Sequence, residues 1–100
     1  MSIADSRERA EVLTRLVRTG LDSAIDGRIE RALRLFDEVL ERFPPIAICY
    51  RPDEATLDNL IAAIAVTAAL ADRARTAAQA PQLKERFRRA VGLRLQMFRI

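Results

Sequence analysis

IERALRLFDEVLERF, residues Ile29–Phe43, carries its large apolar side chains at Ile29, Leu33, Phe36, Leu40 and Phe43, in alternating steps of four and three. That spacing is the period of a helix with one dry face, and Ala32 and Val39 widen the stripe. On the other side Glu30, Arg34, Glu38 and Arg42 stand four apart with alternating sign. Each neighbouring pair adds about 0.2 to 0.5 kcal/mol and keeps that face wet. Pro44-Pro45 stops the helix, because proline has no amide donor and pushes the preceding residue out of the α region.

Upstream, Val12, Leu13, Leu16, Val17, Leu21 and Ala24 fall on one side of a second helical period. The spacing predicts a helix from Ser6 to Ala24, opened by a capping box of Asp5 and Glu8. Asp26-Gly27 ends it, since glycine accepts the positive φ of a helix C-terminus and aspartate can cap the next helix. The connection from Ile25 to Arg28 is short enough to make the two helices an antiparallel hairpin over residues 6–43.

Gly27, Ala32, Phe36, Leu40 and Pro44 lie where a tetratricopeptide repeat places its small, aromatic, apolar and terminating residues, so that Gly27 to Pro44 resembles the second half of such a repeat. Gly20, seven residues before Gly27, fits the same pattern, although the large aromatic expected at Leu16 is absent. The match covers about one repeat and fades after Pro45. A single repeat leaves a hydrophobic face uncovered, so the resemblance implies a hairpin capped by other helices or by a partner.

Downstream of the hairpin, residues 44–52 form a linker. Its apolar run Ile46–Tyr50 is either a buried extended segment or a short edge strand. Pro52, Asp53 and Glu54 suit the first turn of a third helix, read over residues 53–79. From Leu60 to Ala71 this helix is apolar all round. Leu57, Leu60, Ile61, Ile64 and Ala68 form one side, and Ala62, Val66, Ala69 and Leu70 another. After Ala80-Pro81 a fourth helix, residues 81–98, has Leu83, Phe87, Ala90, Val91 and Phe98 as its buried stripe.

The expected fold is therefore all-α: a single domain of four helices, orthogonal or bundle-like, built on the N-terminal hairpin. A chain of 100 residues supports one core without much to spare. Half its residues are apolar and 31% charged, a globular balance. The Leu60–Ala71 run is about half the roughly 20 residues a bilayer span needs, which makes it a core helix. The lone Cys49 has no disulfide partner, and the N-terminus has no signal-peptide pattern, so a cytoplasmic location is expected.

Chemistry finds little purchase in this sequence. There is no histidine, which removes the commonest general base and metal ligand, and the three glycines stand apart, so no phosphate loop exists. Cys49, between Ile48 and Tyr50, reads as a packed thiol. The pair Asp37-Glu38 reads as part of the ion-pair face, and Asp53-Glu54 as a helix start. No catalytic, cofactor or metal site is expected, and the chain is not read as an enzyme.

The charge is uneven: from Arg73 onward eight bases face one acid, against nine basic and thirteen acidic residues before it. Arg86, Arg88 and Arg89 are candidate contacts for phosphate or for an acidic partner, including the chain's own Asp53–Asp58 segment. Arg94 falls inside the apolar stripe, so it either snorkels out near the helix end or makes an interface salt bridge. Four helices have too little core to cover both sides of the third. The expected function is protein binding, as a homodimer or adaptor, through Ala62, Val66, Ala69, Leu70 and Arg94. The alternative is a nucleic-acid-binding regulator that uses the fourth helix.

Overall fold

A computed structural model describes residues 3–73 and 77–97. They form an all-α bundle of four helices: α1 (Ile3–Ile25), α2 (Ile29–Arg42), α3 (Arg51–Arg73) and α4 (Ala80–Met97). Helix α1 packs against both α2 and α3, α4 packs mainly against α3, and α2 makes lighter contacts with both α3 and α4. Contacts between the N-terminal turns of α1 and α3, at Ser6 and Asp53, make those two helices parallel neighbours. Two antiparallel hairpins thus lie side by side. Phe36, Leu13, Leu57, Leu60, Ile64 and Leu83 are fully buried at the centre.

The turn after α1 is a Schellman motif. Gly27 has φ +83, its amide donates to the Ala24 carbonyl at 3.0 Å, and the Arg28 amide donates to the Ser23 carbonyl at 2.8 Å. Asp26 does not cap the next helix as its position suggested; Arg28 occupies the cap position, with no side-chain hydrogen bond. At the other end of α1 the helix already runs from Ile3, so Asp5 lies inside the first turn and not at its cap.

Residues 46–48 turn as a 3-10 helix, neither strand nor extended linker, because the amides of Ile48 and Cys49 close onto the carbonyls of Pro45 and Ile46. The described part of the third helix ends at Arg73, and Ala77–Gln79 is a 3-10 turn that leads into α4. The expected continuation to residue 79 fails there. Arg75, Phe98 and Arg99 lie outside the described residues.

Two further readings change. Val12 faces solvent, whereas Ser6, Leu13, Val17 and Gly20 form the buried side of α1. Asp37 leaves the wet face of α2 to bind Arg86, and of the four-spaced ladder it is Glu38 and Arg42 that close, at 3.2 Å.

Candidate interaction surface

Three side-chain clusters fix the helices, and the surface they leave uncovered is the candidate site. The first is a buried carboxylate. Asp53, the third residue of α3, reaches back to accept the Tyr50 amide at 2.9 Å, the reciprocal arm of a capping box. The same carboxylate accepts the Ser6 hydroxyl at 2.7 Å and a two-pronged Arg9 guanidinium at 3.0 Å on each oxygen. Burial alone would push this carboxyl up; the hydrogen bonds from Arg9, Tyr50 and Ser6 outweigh it and hold Asp53 below the usual carboxylate range. Asp53 is thus a helix start, as read from the sequence, and also the pin between α1 and α3.

The second cluster ties α4 to α2. Arg86 grips Asp37 with two nitrogens, at 2.7 and 3.1 Å, so this arginine is occupied within the fold. The third is Arg94, which donates to Asp58 at 2.9 Å and lies 3.9 Å from Glu54. It does not snorkel into open solvent: these partners are acids on the neighbouring helix of the same chain. Its link to the Asp53–Asp58 segment is the internal pairing that the charge pattern made available.

Arg88 and Arg89 remain exposed. Arg86, by contrast, is partly buried against Asp37, so the three cations do not stand free together as one phosphate-binding face. Leu83 and Ala90 of the expected stripe are buried, together with Met97, but Phe87, also expected in the core, is 38% exposed.

Cys49 is half-buried, and its thiol points at the Pro45 carbonyl, 3.5 Å away. Burial, and then the negative Asp53, push the thiol up to about 11. At pH 8 only about one thiol in a thousand is then ionised, so alkylation by iodoacetamide is expected to run roughly a hundredfold slower than for free cysteine. Timed labelling with mass spectrometry measures this, and a rate equal to that of free cysteine would refute the buried environment.

The outer face of α3 is left open by these clusters. Ala62, Val66 and Ala69 are exposed, Val66 at 46%, and Leu70 is half-buried. The four residues named from the sequence thus fall on or beside one uncovered face. That face continues into a trough between α1 and α3, made of two adjoining hollows of about 380 and 270 Å³ that share Thr14 and Arg18. Val17, Leu21, Ala62 and Val66 line the apolar half. Sequence periodicity showed the open face of α3 but not the trough, which depends on α1 and α3 being parallel neighbours.

No protein-family model, curated protein or solved structure matches this chain.

By length and composition α3 is long and apolar enough to cross a bilayer. The 12-residue run counted in the sequence understated it, because Arg51–Arg73 also includes the mixed first turns. Within the fold its inner side carries Asp53, Thr56 and Thr67 fully buried among Leu57, Leu60 and Ile64. The threonine hydroxyls are satisfied by the Pro52 and Ala63 carbonyls of their own helix. One side of α3 is therefore a protein core, and only the other is uncovered.

Proposed function

We propose that this chain is a protein-interaction module that self-associates through the outer face of α3 and the trough beside it. The observation that carries this reading is Val66, a large apolar residue nearly half exposed at the centre of a face whose neighbours, Ala62 and Ala69, are small and also exposed. Alanines at these positions let a second helix approach closely, and burying such a face against a copy removes apolar surface from water at about 25 cal/mol per Å². Protein is favoured over nucleic acid because Arg86 and Arg94 are already engaged by acids of the chain.

Light scattering over a wide concentration range tests it. The wild type is expected to show a concentration-dependent rise towards twice the chain mass. Val66→Glu is expected to stay monomeric with an unchanged helical spectrum, because it changes an exposed position and leaves the core alone. A wild type that remains monomeric at every concentration sinks the reading.

A further inference from the structure

On the opposite flank of α3 from the trough, a second groove runs between α3 and α4. Its volume is about 330 Å³; Ile64, Ala65, Ala68, Leu83 and Phe87 form its apolar lining, and Lys84 and Arg88 stand at its edge. Phe87 is followed at four-residue steps by Val91, half-buried, and Leu95, 58% exposed. These three form one apolar row over two helical turns, about 12 Å long. Lys84 and Arg88 are themselves four apart and exposed, and neither makes an ion pair among the described residues.

The contrast along α4 is informative. Arg86 and Arg94 are each held by acids of the chain, whereas the two cations beside the open apolar row are not. Glu85, next to Lys84 on α4, is held by Arg86 at 3.1 Å, Asp58 is engaged by Arg94, and Asp72 is exposed near the end of α3; none of these acids lines the groove. The walls beside Phe87 are therefore positive.

We propose that this groove docks an acidic amphipathic helix from a protein partner. Its apolar side chains at i, i+4 and i+7 would pack along Phe87, Val91 and Leu95, and its flanking carboxylates would meet Lys84 and Arg88. Shape selects this occupant: a concave slot accepts a row of projecting side chains, whereas a bilayer surface is met best by a protruding apolar edge. The groove does not involve Val66, so it stands whether or not the chain self-associates.

The test titrates the full chain, by fluorescence anisotropy, with a synthetic helix that has leucines at i, i+4 and i+7 and glutamates on both flanks. A twin peptide carries lysines in place of the glutamates. The glutamate peptide is expected to bind at least about tenfold more tightly than its twin. Lys84→Glu with Arg88→Glu is expected to remove that preference, and Lys84→Ala with Arg88→Ala to reduce it; both pairs change exposed positions, and circular dichroism checks the fold. Equal binding of the two peptides overturns the proposal, as does a preference that survives the charge reversal. Binding to phosphatidylserine and phosphatidylcholine vesicles, or to an RNA oligonucleotide, with neither peptide bound, overturns it as well.

Discussion

Asp53→Ala is expected to cost about 3 to 5 kcal/mol, the usual penalty for removing one partner of a buried ion pair. Three donors converge on this carboxylate: the Ser6 hydroxyl, the Arg9 guanidinium and the Tyr50 amide. Alanine would leave the fully buried Ser6 and the largely buried Arg9 without their acceptor. It would also loosen the first turn of α3 and the parallel contact of α1 with α3. Domains of this size have about 5 to 15 kcal/mol in total, so the variant should sit near its unfolding threshold at room temperature. Urea titration followed by circular dichroism measures the loss, and a shift below about 1 kcal/mol would show that the cluster contributes little net stability.

Acid provides a second reading of the same group. The folded carboxyl ionises below its unfolded value of about 3.9, so its contribution is fully present above that pH and disappears as pH falls through the lower folded value. Asp53→Asn removes the charge at every pH and keeps a similar shape. The stability gap between wild type and Asp53→Asn should therefore be wide near neutral pH and narrow below about pH 4. A constant gap across that range would assign the stabilisation to hydrogen bonds alone.

The helices were legible in the sequence because their signals are local. The Ile29–Phe43 stripe, the Gly27 turn and the Pro44 stop each arise within a few residues, and all three stand in the structure. Ends were less legible where a cue had two uses. Asp5 looks like a cap, but the helix begins before it, and Asp53 looks like a dipole partner only until Ser6 and Arg9, more than 40 positions away, are seen beside it. Rotation of α4 was the hardest to read. Phe87 and Leu83 fit the same stripe by period, yet Leu83 is fully buried and Phe87 38% exposed, while Arg86 beside it binds Asp37 of α2. Ala62, Val66 and Ala69 were recognisable as uncovered because an all-round apolar helix exceeds the surface that three neighbours can cover. The intrachain acids of Arg94 could not be read from its own stripe, since they lie on another helix.

Gly20 of α1 packs directly against the Phe36 ring of α2, and Gly20→Ala should destabilise the fold although alanine is the better helix former. A β-carbon at this position would lie 2.6 Å from Phe36 Cε1 and 3.1 Å from its Cδ1. The ring is fully buried and cannot swing away. Helix propensity favours alanine by about 1 kcal/mol, and overpacking a core costs about 1 to 3, so the clash outweighs the propensity. Gly92 is the control: it also lies within a helix, but nothing stands within 4 Å of a β-carbon there. Gly92→Ala should therefore raise stability by up to about 1 kcal/mol. Phe36→Leu opens a gap at the ring's place, so adding it to Gly20→Ala should cost less than the two single changes summed. Urea midpoints of the four proteins in that cycle decide the matter. Strict additivity, or a Gly20→Ala variant more stable than wild type, would mean that the ring and the glycine are not in the contact described.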